Sequence, residues 1–478
     1  MTAFHQKPLR TQLQALRQCH PVPKSAFSDG VEVLKGKQIV ILGCGAQGLN
    51  QGLNLRDSGL NVAYALRQSS IDSKNASYQR AKDNGFHVGS FEELVPSADL
   101  VMNLTPDKQH GPVVNGIMPL MKQGAFLGYS HGFDVIEAQR EIRDDITVIM
   151  VAPKCPGTEV RAEYLRGFGV PTLIAVHQDP QGLGLAWAKA WCAGTGGHHA
   201  GVLLSSFEAE VKSDLMGEQT VLCGLPQAVC VAGFERLVEL NVPAAQAASF
   251  YQFGIEQVSE SMKAGGVRLA FSKLSPAERV HARREADKLK AAFRPLFEKH
   301  MDDIIGGQFA EGMMADWAKD DIDLLTWRQN TAETGFEQAP PSSHFELDFD
   351  RATGLVALFA AGVELAFEVM VEAGISPASA YYESLHELPL IANTLARRRL
   401  HEMNVVISDT AEYGNYLFSN VATGIVKDVM AGWDLKELGE GGQFDAVDDA
   451  TLSLVDEQNQ NHPIEAVGAS LRAYMRER

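Results

Sequence analysis

Two acidic pairs, Asp214 with Glu218 and Glu383 with Glu387, stand four residues apart in stretches of helical periodicity. At that spacing both carboxylates of a pair share one helix face, where like charges repel by about a few tenths of a kcal/mol unless a cation lies between them. Such pairs usually lie on a solvated face. Here the surroundings, DLMGEQTVLCGLPQAV and YYESLHELPLIA, are apolar and argue for burial. Four inward carboxylates with no Cys or clustered His make a hard oxygen site that selects magnesium or manganese over zinc. Two such ions about 3.5–4 Å apart could clamp two oxygens of one substrate.

A second chemistry is written near the N-terminus, in Gly43-Cys44-Gly45-Ala46-Gln47-Gly48 with Gly52 one helical turn later. The run follows an apolar strand, QIVIL, and opens a helix, which is the context a dinucleotide fingerprint requires. Gly43 permits the tight turn, Gly45 lets backbone approach a pyrophosphate, Gly48 allows close packing, and the helix N-terminus attracts phosphate. At the end of the second strand, where an NAD site places Asp or Glu, the residue is Arg67. A guanidinium there would clasp a 2'-phosphate, with Lys74 and Ser77 close in sequence, so NADP(H) is favoured. Further polar groups follow the carboxyl ends of later strands: Asp107, Lys108 and Gln109 after DLVMNLTP, His131 after GAFLGYS and Lys154 after ITVIMVAP. That edge of a doubly wound sheet is where ligands bind.

The elements that must hold these groups are of two kinds. From Lys37 to about Ser205, short apolar runs (QIVIL, NVAYAL, DLVMNL, GAFLGYS, ITVIMV, PTLIAV) alternate with amphipathic stretches, as expected of a parallel sheet with crossover helices. Beyond Phe207 apolar residues recur at three and four residue spacings on more than one face, predicting a buried helical bundle. Within it GFERLVELNVPAAQAASFYQFGIE can be laid against GVELAFEVMVEAGISPASAYYESLHE with a two-residue insertion, setting Gln252 and Glu256 opposite Glu383 and Glu387. The expected fold is an α/β N-terminal Rossmann-like domain with a parallel sheet, residues 1–205. An all-α region built from two duplicated units, 206–342 and 343–478, follows it. Thr331 to Ser343 reads as a linker.

Composition narrows the partners. The 478 residues carry 42 Lys plus Arg against 60 Asp plus Glu, a net charge of -18, which disfavours nucleic acid and anionic membranes. No stretch reaches ~18 uninterrupted apolar residues. The first twenty residues lack a signal peptide's apolar core. Six cysteines without a CxxC pair suit a reducing compartment. A cytoplasmic protein is expected.

Seven ordered motifs, GCGAQGLNQG, LTPDKQH, YSHGF, APKCPGTEVR, SDLMGEQT, YYESLHELPL and VVISDTAEYGNYLFS, resemble those of the ketol-acid reductoisomerases, over about Val31 to Phe418. The duplicated helical half is similar to the long, class II form. That resemblance implies Asp214 as a bridge between two magnesium ions, with Glu218 on one ion and Glu383 and Glu387 on the other. Gln252 then marks a copy that has lost its ligands. It further implies that Ser408 binds the substrate carboxylate, that His131 and Lys154 complete the catalytic polar site, and that Cys44 to Gln47, Arg67, Ser77, Asp107 to Gln109 and Gly157 contact NADPH. Asn75 stands where many long-form members have a second Arg for the 2'-phosphate, which implies a weaker NADPH preference. The implied substrates are 2-acetolactate and 2-aceto-2-hydroxybutyrate, taken by alkyl migration and reduction to 2,3-dihydroxy acids in valine and isoleucine biosynthesis. A homo-oligomer, dimer or tetramer, is implied as well. The rivals are a metal-free 3-hydroxyacid dehydrogenase, which has no use for four carboxylates, and a cofactor-binding protein without turnover.

Overall fold

The computed structural model describes residues 7–341 and 345–476, so the expected boundary at 342/343 lies outside the described residues. The chain divides into two compact units, one running to Val211 and regaining the chain from Ala473, the other spanning Lys212–Arg472.

Among the described residues the first unit is built on nine strands: β1 Cys19–Pro21, β2 Ile39–Leu42, β3 Val62–Leu66, β4 His87–Ser90, β5 Leu100–Asn103, β6 Phe126–Tyr129, β7 Thr147–Pro153, β8 Thr172–Gln178 and β9 Val202–Ser205. Their order across the sheet is β1-β9-β8-β7-β6-β5-β2-β3-β4. Neighbours from β4 to β7 are all parallel. The six apolar runs read from the sequence are β2, β3 and β5 to β8; the edge strands β1 and β4, and β9 beside β1, carry little pattern. Helices α1 Leu9–Leu16, α2 Ala46–Asp57, α3 Ala76–Asp83, α4 Asp107–Ile117, α5 Gly157–Leu165 and α6 Gly184–Thr195 accompany the sheet. Every residue of β2, β5, β6 and β7 is buried, which is why these strands read as unbroken apolar runs.

Two strands depart from the parallel expectation, β8 and its parallel neighbour β9, which pairs antiparallel with β1. β8 runs antiparallel to β7, with Pro153 opposite Thr172. The connection therefore leaves and re-enters at the same sheet edge, and α5 packs on α2 there instead of crossing back along the face. The chain's last helix returns to this unit, where the Tyr474 hydroxyl accepts from Val202 N and donates to Val22 O (3.0 and 2.7 Å).

The second unit is helical: α7 Phe207–Gly217, which begins in the first unit, then α8 Gly224–Glu239, α9 Ala244–Gly265, α10 Pro276–Gly306, α11 Gln308–Trp317, α12 Ile322–Ala332, α13 Thr353–Glu372, α14 Leu388–Val406 and α15 Asp409–Met430. Helix α10 packs on α13, α8 on α15 and α9 on α14. Two stretches, Phe207–Glu239 and Thr353–Glu372, have the length and hydropathy of a membrane span, and 78% and 89% of their most apolar windows are buried inside the protein. Their apolarity is bundle core. The segment read as a linker is partly folded: Thr331 ends within α12, and Phe336, in a short helix Gly335–Gln338, is fully buried.

Candidate active site

In the first unit the strand order reverses between β2 and β5, and the glycine loop leaves the carboxyl end of β2 at that switch point. Gly43 has φ +86°, and a Cβ there would stand 3.0 Å from Leu104 O in the loop after β5. Space beside Gly45 is open, whereas a Cβ on Gly48 would strike Gly43 O at 2.3 Å. The N-terminus of α2 is thus presented bare to a ligand. Burial pushes the Cys44 thiol up to about 11 despite Arg80 nearby, so no thiolate opposes a pyrophosphate. Gly157 abuts the same turn, since a Cβ would lie 2.4–2.6 Å from backbone atoms of Ala46 and Gln47. The Gln47 amide donates to Cys155 O at 2.8 Å.

Arg67 ends β3 and donates to Gln109 Oε1 (2.6 Å) in the first turn of α4, where Asp107 and Lys108 also lie. Asn75 caps α3, its side chain accepting from Tyr78 N (3.1 Å). Sequence reasoning missed Arg80. Its Nε donates to Cys44 O (2.7 Å), and its Nη2 lies 3.5 Å from Ser77 Oγ, one turn back on α3. The i,i+3 spacing of Ser77 and Arg80 was the available signal.

After β6, His131 Nδ1 meets Asp107 Oδ2 at 3.2 Å, and Asp107 Oδ1 lies 3.6 Å from His110. Lys154, at the end of β7, is buried and pairs with Glu210 Oε1 at 3.1 Å. A buried ammonium is tolerated only with such a partner. Glu210 was also missed by sequence reasoning, although Glu210, Asp214 and Glu218 form one i, i+4, i+8 stripe.

In the second unit the carboxylates converge. Ligand oxygens of Asp214, Glu383 and Glu387 lie within 4.8 Å of one another, and the residues are 8%, 0% and 8% exposed. Each motif contains a π-helical turn, Glu218–Leu222 and Tyr382–His386, closed by Cys223 N to Glu218 O (3.0 Å) and Glu387 N to Tyr382 O (3.3 Å). Wide turns of this kind are rare and cluster at functional sites. The two motifs approach closely through Gly217, whose absent Cβ would lie 2.2 Å from Glu383 O. Glu218 is half-buried, and Ser408 Oγ lies 3.4 Å from its Oε2 while capping α15 by accepting from Ala411 N (3.0 Å).

At an effective dielectric near 20, two ionised carboxylates 4.8 Å apart repel by roughly 3–4 kcal/mol. Three in one buried cluster need protons or a cation. Burial, with Glu218, Glu387 and Asp214, pushes the Cys223 thiol well up, and burial pushes the His386 imidazole down to about 3, so these two neighbours offer neither a thiolate nor an imidazolium. A hard divalent ion fits this donor set.

Comparison with known proteins agrees with both halves. Residues 33–201 match the family described as "Acetohydroxy acid isomeroreductase, NADPH-binding domain", and residues 207–341 and 352–477 match "Ketol-acid reductoisomerase, C-terminal domain". The chain is 58% identical to "Ketol-acid reductoisomerase (NADP(+))" of Pectobacterium carotovorum over 480 residues, 99% of this chain and 98% of that one. It is equally similar, over 478 residues, to the Serratia proteamaculans protein of the same description, covering 99% and 97%. Among solved structures, an NADH-preferring ketol-acid reductoisomerase from an uncultured archean is similar at TM-score 0.61 and 32% identity, over 64% of this chain and 93% of that one. With both domains matched and such identity across the full length, the chain belongs to the ketol-acid reductoisomerase family, in its long form, and is an NADP-dependent enzyme.

Proposed function

We propose that the enzyme converts 2-acetolactate or 2-aceto-2-hydroxybutyrate to the corresponding 2,3-dihydroxy acid, with magnesium at the carboxylate cluster. The observation that carries this reading is the burial together of Asp214, Glu383 and Glu387 in a chain that also bears the dinucleotide loop. A metal-free dehydrogenase would have no reason to bear the repulsion. When bound, a magnesium pair supplies Lewis-acid polarisation of neighbouring hydroxyl and ketone oxygens, and NADPH supplies a hydride.

The chain's own groups then have distinct tasks. Asp214, with Glu218 on one side and Glu383 and Glu387 on the other, would hold the magnesium. Ser408 binds the substrate carboxylate at the N-terminus of α15, where backbone N–H groups favour an anion. Asp107 holds His131 by Nδ1 and directs Nε2 away from itself, giving a ring with a defined tautomer for proton transfer. Glu210 pairs with Lys154 and fixes the position of its ammonium group. Arg67, Ser77 and Arg80 bind the 2'-phosphate, offsetting the Arg that Asn75 replaces. His131 and Lys154 serve the proton steps.

We also read the helical half as two copies divided near residue 342. The succession α8, α9 recurs as α13 and then Pro377–Tyr381 leading into α14, and the C-terminal-domain family matches two separate stretches. No disulfide joins the described cysteines, in keeping with a reducing cytoplasm.

NADPH absorbance followed on adding 2-acetolactate to metal-free protein, before and after magnesium, tests the function. Oxidation is expected only with magnesium and is lost in Asp214→Asn. Equal turnover without metal would overturn the proposal.

A further inference from the structure

Arg399 lies inside α14 with φ 61° and ψ -173°, a backbone conformation natural to glycine and strained for arginine. The break frees backbone groups on either side, and two side chains, Glu337 and Gln252, take up three of them. The Leu400 and His401 amides donate to Glu337 Oε1 at 2.6 and 3.1 Å. Ala396 O, which Leu400 N would have met in an unbroken helix, accepts from the Gln252 amide at 2.7 Å. Arg399 itself donates from Nε to Gln252 Oε1 (3.1 Å). Its guanidinium also holds the carbonyls of Phe336, Glu337, Ala339 and Pro340 (2.8–3.2 Å). Segment 336–340 and α14 therefore grip each other reciprocally: Arg399 takes the segment's carbonyls, and Glu337 takes the helix's amides.

Two of the bracing residues are the ones the internal repeat sets opposite the metal ligands. Gln252 stands at the position of Glu383 and braces the break, while Glu256, at the position of Glu387, accepts from the Asn393 amide of α14. In this copy the pair grips a helix instead of a cation.

That helix joins two parts of the site. It is capped by Glu387 and runs out to Ser408, the cap of α15. Past the break roughly 10 Å of helix, at ~1.5 Å per residue, acts as a lever. A swing of about 20°, the size of an ordinary kink, moves its end by about 3–4 Å, more than a hydrogen bond tolerates.

We propose that Arg399 is a positioning residue: its enforced break in α14 sets Ser408 at working distance from Glu383 and Glu387, with Gln252 and Glu256 kept as part of the brace. This rests on the roles proposed above for Ser408 and the carboxylates.

The test compares Arg399→Ala, Arg399→Gly and Gln252→Ala with the wild type. Measured are kcat and KM for 2-acetolactate, the NADPH dissociation constant, and hydrogen exchange at the Leu400 and His401 amides. Arg399→Ala, which keeps the strain and loses the grip, is expected to raise KM at least about tenfold and speed exchange, with NADPH binding within about twofold. Arg399→Gly, which adopts φ +61° without strain, is expected to return KM to within about threefold of wild type. Gln252→Ala, which keeps Arg399 but removes its Nε partner and the donor to Ala396 O, is expected to raise KM about threefold or more. Unchanged KM in Arg399→Ala or Gln252→Ala, or equal loss in the Ala and Gly variants, overturns the inference. A wild type that does not oxidise NADPH with acetolactate and magnesium overturns the proposed function itself, and is recognised before any variant is compared.

Discussion

Gly217→Ala isolates the contact that brings the two carboxylate motifs together. The added Cβ would stand 2.2 Å from Glu383 O and 2.9 Å from Glu383 Cβ. The carbonyl belongs to a buried π turn and cannot rotate aside, so α7 and that turn must separate by about 1 Å. Alanine in a helix is favoured over glycine by about 1 kcal/mol, and overpacking costs about 1–3 kcal/mol, so the net loss of stability is roughly 0–2 kcal/mol. At about 2–4 °C per kcal/mol for a domain this large, the melting temperature falls by no more than about 8 °C. The site suffers more, because Asp214 rides on α7 and Glu383 on the displaced turn. A shift of about 1 Å in catalytic geometry costs about a hundredfold in rate. The assay is a thermal melt together with kcat and a magnesium titration of NADPH oxidation. Turnover and half-saturating magnesium both within about twofold of wild type would refute the argument, whatever the melt shows.

Three further outcomes follow from other parts of the molecule. Gly157→Ala forces a Cβ into Ala46 and Gln47 at 2.4–2.6 Å and should weaken NADPH binding about tenfold or more by fluorescence titration, since the phosphate loop must yield. Arg67→Ala should raise KM for NADPH about 10- to 100-fold and leave that for NADH almost unchanged, the loss of one charge-assisted phosphate contact being worth about 1.5–3 kcal/mol. Equal effects on both cofactors would show that Arg67 does not face the 2'-phosphate. Glu368 carries the pH dependence of the α10–α13 pairing: burial alone would raise its pKa, but hydrogen bonds from His462 and Lys290 bring it from 4.5 down to about 2. Its contribution, at most about 2–3 kcal/mol once solvent screening of the partly exposed carboxylate is discounted, is present above pH about 4.5 and lost as pH falls through about 2, so Glu368→Gln should lower stability at neutral pH and flatten the acid limb of a denaturation series.

Much of this protein was legible in one dimension. The glycine loop, the arginine ending the second strand and the two acidic pairs are short patterns in which residue type and spacing carry the chemistry. Periodicity likewise separated a sheet of buried strands from a helical bundle, because apolar runs and three-four spacing report which faces are covered. Even Arg80 and Glu210 sat on helical spacings from residues already singled out. Their value emerged only with Cys44 O and Lys154 as partners, more than 30 and 50 positions away.

Other features had no local signature. β8 reads like any buried strand; its reversal accompanies the packing of α5 on α2. The π turns at Glu218–Leu222 and Tyr382–His386 sit in sequences of ordinary helical character, and Arg399 is a good helix former lodged in a glycine conformation. Gln252 carried no sequence signal of the partner it has, the freed carbonyl of Ala396. Local sequence decides what each segment can be, through its φ/ψ preferences and its apolar faces. Which segment is strained, and what holds it there, is decided by partners distant in the chain, whose hydrogen bonds and close contacts exist only once the bundle is packed.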